Sequence, residues 1–270
     1  MTSRSNSPSP FAEAPRVDFG LRSRDYAEQR PGFPDSFYER LERFRPLVGA
    51  RVLDLGTGPG VMALPLAERG ANVTGTDISE NQILAARERA SAAGLADRCR
   101  FVVARAEDVP LPSGSFDLVT SGQSWHWFDH QQAIAECTRL LAPGGLLAVA
   151  HYSYLPQHSA LVRETEALVL KHNPGWKLAG FDGLLPWLVD SIANDALKLC
   201  EQFVYDHDRR MSHEAWRARM RTCNGVGSGG MDEATVERFD GDLAQLLAAK
   251  YPEPVAVPHR VHCVVAQKVV

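Results

Sequence analysis

The sequence has few cysteines and no Cys-x-x-Cys pair. Cys99, Cys137, Cys200, Cys223 and Cys263 are odd in number and widely spaced. That pattern argues against a disulfide scaffold and a structural zinc site, and no other His/Cys/carboxylate group has ligand spacing, so no metal is expected. Free, partly buried thiols in a reducing cytoplasm are the simpler reading. No apolar run approaches the roughly 20 residues that a membrane-spanning helix needs. The first residues, rich in Ser, Pro and Ala, lack the apolar centre of a signal peptide, and residues 1–18 read as a disordered tail. Charge of one sign is also missing: 29 Lys and Arg against 33 Asp and Glu give −4, which predicts neither nucleic acid nor a membrane surface as partner. No internal repeat is present.

What is there is an ordinary globular composition, 44% hydrophobic and 23% charged over 270 residues. That length suits one large core, or one core with an inserted cap. A monomer or a homodimer is expected. Phe37, Leu41 and Phe44 recur at helical spacing and predict a first helix over about 34–46. Short apolar strands are predicted at 51–55, 71–76, 100–104, 116–120 and 146–151. Helices are predicted between them at 61–69, at 79–93 behind Ser79, and behind Asp129 with Ile134, Cys137, Leu140 and Leu141 on one face. Pro143-Gly144-Gly145 reads as the turn that stops the last of these. The alternation predicts an α/β fold whose sheet is parallel and covered by helices on both faces, with ligands at the carboxyl edge of the strands. After His151 the rhythm breaks. Residues 152–225, with Trp176, Trp187 and Trp216, are expected to contribute a substrate cap to a single domain spanning 19–270. A sixth strand is predicted at 199–205, a helix at 232–250 and a closing strand at 260–269. The run Gly225 to Gly230 reads as a flexible linker.

Three signals cluster at the ligand edge. Asp54-Leu-Gly56-Thr-Gly58-Pro-Gly60 lies between a strand and a helix, where glycines permit close backbone approach and the helix N-terminus suits a carboxylate. A nicotinamide fingerprint is disfavoured, because Val61 stands where its third glycine belongs and Pro59 removes an N–H. Asp77, just past the second strand, is placed to accept hydrogen bonds from two ribose hydroxyls, or to favour the helix dipole. Gln82 has capping-box spacing from Ser79. The loop Ala104 to Pro112 is placed to meet an adenine ring, or is simply exposed.

Taken together, Asp-x-Gly-x-Gly-x-Gly, Thr76-Asp-Ile-Ser79, Ala106-Glu-Asp-x-Pro-x-Pro112, Ser115-Phe-Asp-Leu-Val119 and Leu141-x-Pro-Gly-Gly145 resemble the class I S-adenosylmethionine-dependent methyltransferases. The nearest resemblance is to the type 11 small-molecule group that includes relatives of trans-aconitate methyltransferase. It covers residues 20–150. It implies a Rossmann-like, mostly parallel seven-stranded sheet with an α-rich cap insertion, and S-adenosyl-L-methionine as cofactor. Gly56, Thr57 and Gly58 are implied to line the methionine part. Asp77 would hold the ribose, and Ile78, Ala106 and Glu107 would meet the adenine. Many relatives carry Asp where this chain has Arg105, which cannot accept the adenine amino hydrogen bond, so that contact falls to backbone or Glu107. Tyr26 and Arg30 resemble a segment that closes over the cofactor, with Arg30 facing either the methionine carboxylate or a surface acid.

A sulfonium already activates its methyl group, so the protein mainly aligns the acceptor and excludes water. The loop Ser121-Gly-Gln123-Ser-Trp125-His126-Trp127-Phe-Asp129 is expected to do this. Ser121 would touch the cofactor amino group. Gln123 and His126 would act on the acceptor, with His126 able to take a proton near neutral pH. Trp125, His151, Tyr152 and Trp187 would shape the substrate pocket, although one of Trp125 and Trp127 is expected to be core. The leading expectation is a small-molecule methyltransferase. The alternatives are a tRNA or protein methyltransferase, a nicotinamide-dependent oxidoreductase, and a catalytically silent binding protein.

Overall fold

The computed structural model describes residues 32–227 and 230–269; the expected N-terminal tail lies outside them. Helix α1, Asp35–Phe44, buries Phe37, Tyr38 and Leu41. Strand β1, Arg51–Leu55, is apolar except for Asp54 and is buried after its first residue. Helix α2 (Ala63–Glu68), strand β2 (Asn72–Asp77), helix α3 (Glu80–Ala92) and strand β3 (Cys99–Val103) follow in the expected order. Strand β4, Phe116–Gly122, leads through a short 3-10 turn at Trp125–Trp127 into helix α4, His130–Leu140. Caps start the helices where the sequence placed them. The Ser79 hydroxyl accepts the Gln82 N–H, and the Asp129 carboxylate accepts the Gln132 N–H at 3.0 Å.

The second half consists of β5 (Leu141–Tyr154), α5 (Ala160–His172), α6 (Trp187–Ile192), β6 (Leu197–Met211), α7 (His213–Arg221), α8 (Glu233–Lys250) and β7 (Val255–Lys268). The sheet has seven strands in the order β3-β2-β1-β4-β5-β7-β6. Strands β1 to β5 are parallel, and β7 runs antiparallel to both β5 and β6. All carboxyl ends of the parallel strands therefore meet at one edge, between α1 on one face and α4 on the other.

Two features depart from expectation. The Pro143-Gly144-Gly145 segment does not precede β5 but lies within it. Leu141 already pairs with Phe116, and the register slips before Leu118 pairs Leu146. The chain bulges there, with Gly144 at φ +70°. Strands β6 and β7 also run well past the predicted ends. In β6, Phe203, Tyr205, His207 and Arg209 alternate with more exposed residues that are charged or polar except for Val204. An edge strand protected by charge in this way has a weak apolar signature.

Residues 152–225, expected as a cap, do not form a hydrophobic cluster of their own. Leu161, Val162 and Val169 of α5 and Trp216 and Met220 of α7 pack with Phe239, Leu243 and Leu247 of α8, beyond residue 225. Gly225 is no free linker position. A Cβ there would lie 2.7 Å from the Trp176 ring, whose N–H donates to Asn224 Oδ1 at 3.1 Å.

Candidate active site

The strand β1 carboxyl end is organised around Asp54, a buried acid in an otherwise apolar strand. Its Oδ2 accepts the Thr57 hydroxyl at 2.7 Å and its Oδ1 the Thr120 hydroxyl at 2.8 Å, which joins the glycine turn to β4. Burial raises its pKa to about 6, against the pull of those two hydroxyls. Thr57 has its polar groups engaged within the turn: its N–H donates to Thr76 O, its carbonyl accepts Gly60 N–H, and its hydroxyl serves Asp54. Its side chain therefore points into the protein, and only its backbone is left to line a ligand. Asp54 was quoted in the motif but given no role. The signal was its charge within an apolar strand.

Gly56 and Gly58 adopt φ +61° and +53°. A Cβ on Gly56 would come within 2.5 Å of the Ser124 Cβ, whereas around Gly58 the space is open to 4.0 Å, where Gln82 Oε1 stands. The glycine turn is thus pressed against the loop after β4 on one side and open on the other. Asp77, at the end of β2, accepts the Gly58 N–H and the Ser79 N–H, each at 2.9 Å. Burial raises its pKa, and these N–H groups draw it back. It ties the two ligand-edge turns together while keeping lone pairs for further donors, since a carboxylate accepts at about four sites. Asp77 takes the Ser79 N–H that a capping box would assign to Gln82. The buried Gln82 instead directs its side-chain oxygen toward Gly58. Next to Asp77, Ile78 is 70% exposed, an uncovered apolar platform at the tip of β2. Ala106 is buried beneath the following loop. Glu107 accepts the Asp129 N–H at 3.0 Å and lies 3.4 Å from Arg105. Both its oxygens thus have protein partners. Tyr26 and Arg30 lie outside the described residues.

The loop after β4 separates into structural and accessible parts. Ser121 is fully buried; its hydroxyl meets Ser124 Oγ at 2.8 Å, and Ser124 donates to Leu55 O at 2.9 Å. That relay holds the loop against β1, so the Ser121 hydroxyl faces inward. Gln123 is the non-glycine residue with positive φ, at +62°, among the described residues. Its backbone N–H donates to Ala150 O at 2.9 Å, and its side-chain amide donates to Tyr152 O. Trp125 is fully buried, donates to Ser191 Oγ at 3.0 Å and stacks on His130. It is the core tryptophan of the pair and leaves the substrate set. Trp127 is 39% exposed. The half-buried His126 ring lies 4.7 Å from Trp127 and 5.4 Å from His151.

His151 and Tyr152 do not share a pocket, because successive strand residues face opposite sides of the sheet. His151 is buried with Leu147 and Val149 on the α4 face, edge-on to Trp187, which in turn stacks on His130. Burial and the neighbouring His262 lower its pKa to about 3, so it is neutral near pH 7. His151 and Trp187 are 2% and 6% exposed and belong to this core rather than to an open pocket. Tyr152 lies on the α1 face, 4.6 Å from His259 and 5.8 Å from Phe33 between ring centroids. Among the substrate residues named from the sequence, it is the one on the face where α1 and the glycine turn meet.

Residues 53–149 match the family model described as a methyltransferase domain. The chain is 40% identical over 126 residues to the methyltransferase GfsG of Streptomyces halstedii, covering 46% of this chain and 44% of that protein. It is 37% identical over 131 residues to the 27-O-demethylrifamycin SV methyltransferase of Amycolatopsis mediterranei, covering 47% and 48%. It thus spans about half the length of the curated relatives it matches. In three dimensions it is similar to a protein of Anaeromyxobacter dehalogenans assigned as a type II methyltransferase, with TM-score 0.63 and 23% identity over 89% of this chain and 97% of that one. The [4+2]-cyclase SpnF shares the fold too, at TM-score 0.53 and 20% identity over 90% and 84%, so this likeness speaks for architecture alone. Residues 53–149 thus carry a methyltransferase domain, set in a seven-stranded sheet whose fold the solved methyltransferases share.

Proposed function

We propose that this chain transfers a methyl group from S-adenosylmethionine to a small-molecule acceptor. The observation that carries the reading is the carboxylate of Asp77. It is fixed by Gly58 and Ser79 at the open side of the glycine turn, next to the exposed Ile78. The remaining lone pairs of Asp77 take the ribose hydroxyls, and Ile78 packs on the adenine. The edge of the adenine meets backbone near Ala106, since Glu107 is already engaged. The turn at Gly56 to Gly58 lines the methionine part, with Gln82 beneath it. The cofactor supplies an activated methyl group. His126 and Gln123 orient the acceptor at the loop after β4, where an acceptor oxygen, nitrogen, carbon or sulfur would face that methyl group in line. Relatives named as rifamycin, ubiquinone and demethylmenaquinone methyltransferases support a small molecule over tRNA or protein. No helix among the described residues is long and apolar enough to cross a membrane. The five free cysteines support a reducing cytoplasm as the place of action.

Calorimetric titration with S-adenosylhomocysteine, set against NADH, tests the reading. The nucleoside is expected to bind and NADH not to. Asp77→Ala is expected to weaken the nucleoside by about tenfold or more, because two hydroxyls lose their acceptor. Unchanged affinity in that variant would remove Asp77 from the site.

A further inference from the structure

The α1 face of the sheet carries a second group of polar side chains, beyond the cofactor residues. Tyr152 and Tyr154 of β5, His207 and Arg209 of β6 and His259 of β7 share its carboxyl end. The Tyr152 ring stacks on His259 at 4.6 Å and lies 6.5 Å from His207. Arg219 of α7 covers the Tyr154 ring, with its guanidinium carbon 5.5 Å from the centroid. Among the described residues, two buried polar atoms here have no hydrogen-bond partner, His259 Nε2 and Arg219 Nη1, and the buried Tyr152 hydroxyl has only the Arg209 guanidinium beside it. His259 is 1% exposed and donates from Nδ1 to Val257 O at 2.9 Å, which leaves Nε2 as the acceptor of a neutral ring. Arg209 donates to Gly32 O at 3.5 Å, a contact at the limit of bonding. Its guanidinium lies near the Tyr152 hydroxyl, and burial lowers its pKa.

Two acids bear on this group, Asp208 on Tyr152 and Glu166 on Tyr154. Among the described residues neither pairs with Arg209 or Arg219. Glu166 instead accepts the Gly180 N–H at 2.9 Å. Two half-buried guanidinium groups without a counter-ion are costly, and a bound anion relieves that cost. The group also borders the cofactor site. Gly32, which Arg209 contacts, sits so that a Cβ would lie 3.5 Å from Val61 O, just after the glycine turn, and Gln123 donates to Tyr152 O.

We propose that Arg209 and Arg219 bind a carboxylate of the methyl acceptor, so that the acceptor is an organic acid, and that His259 Nε2 receives an O–H or N–H of the same molecule. This rests on the methyl-transfer reading. The position of the group beside both the glycine turn and the loop after β4 places the acid within the reaction chamber. A guanidinium fork matches a carboxylate in shape and charge, and a neutral imidazole next to it can choose which end of the molecule lies inward.

The test compares acids with their own amides. Benzoate, 4-hydroxybenzoate, cinnamate and hexanoate, each beside the matching amide, are titrated against the full chain with and without S-adenosylhomocysteine. At least one acid is expected to bind about tenfold or more tighter than its amide, the difference that a charge-assisted fork supplies. Arg209→Gln and Arg219→Gln are each expected to abolish that preference, and the Lys variants to keep part of it. The melting midpoint and S-adenosylhomocysteine affinity of every variant show that it is folded. Acids that bind no better than amides, or a preference that survives both Gln variants, would overturn the proposal. If S-adenosylhomocysteine fails to bind the wild-type chain, the methyl-transfer reading falls, while the acid-against-amide comparison without nucleoside still judges the arginines.

Discussion

The two halves of the sheet treat buried polarity differently. Around the carboxyl ends of β1, β2 and β4, the charged groups and Ser121 facing the glycine turn are engaged, Asp54 by two threonines, Asp77 by two backbone N–H groups, Ser121 by Ser124, and the buried Thr76 hydroxyl is the exception. Around the extended ends of β5, β6 and β7, His259 and Arg219 hold buried polar atoms without partners among the described residues. An unpaired buried polar group costs roughly 1–3 kcal/mol, so such groups persist where something else is gained. The first half is preorganised for one ligand. The second is incomplete until its own arrives, and that is the half in which an acceptor site is expected to vary between relatives.

Acid should separate the halves most strongly. His151 and His259 are buried with pKa values lowered to about 3. Their unfolded values are near 6.5, so the unfolded chain binds protons first, and the stability they confer is full above about pH 6.5 and is lost as pH falls toward 3. Asp54 acts oppositely. Its pKa of about 6 exceeds its unfolded value near 4, so its contribution is greatest at low pH and is lost as pH rises through about 6. Two histidines outweigh one aspartate, and the net loss from pH 6.5 to pH 4 is expected to be about 4 kcal/mol. Urea unfolding at each pH measures it. Asp54→Asn should steepen the acid loss, and His259→Asn should flatten it. Parallel curves for the two variants would show that these groups do not set the profile.

The glycine turn allows the same contrast on a smaller scale. Gly56→Ala combines a left-handed backbone with a Cβ 2.5 Å from Ser124 Cβ. It should destabilise the fold by about 3 kcal/mol, from the sum of backbone strain and overpacking. Gly58→Ala meets only the strain, about 1 kcal/mol, yet it places a methyl group on the open side where the nucleoside is proposed to lie. Thermal melting should rank Gly56→Ala as the less stable, and titration of Gly58→Ala with S-adenosylhomocysteine should show the larger loss of binding per unit of stability lost. The reverse ranking would put the ligand on the Ser124 side.

The preorganised half was also the legible one. Strands β1, β2 and β4 are short runs stopped by glycine or acid, and the caps Ser79 and Asp129 stand where local chemistry demands them. The second half hides its structure. Strand β6 alternates charges along an edge, β5 begins inside what reads as a turn, and α8 packs in a cluster assembled from distant segments. The opposite facing of His151 and Tyr152 follows from strand periodicity alone, but it becomes decisive only once β5 is known to continue through Tyr154. No local pattern marks Arg209, Arg219 and His259 as neighbours, because three separate elements bring them together. Nor does the sequence distinguish Trp125 from Trp127. Burial against α4 and α6 does that.

His126 lies at the seam between the halves, half-buried, with Trp127 on one side and the neutral His151 on the other. Its expected effect is the smallest. The sulfonium already activates the methyl group, so a base adds less here than in a reaction that must break a strong bond. His126→Ala should lower turnover by about tenfold, equivalent to about 1.4 kcal/mol of barrier, while S-adenosylhomocysteine affinity changes little. The two measurements must be made on the same preparation. A turnover loss without an affinity loss assigns His126 to the acceptor side of the seam. Equal losses would mean that it supports the loop after β4 as Ser121 and Ser124 do, and the boundary between the preorganised and the waiting half would then lie beyond residue 126.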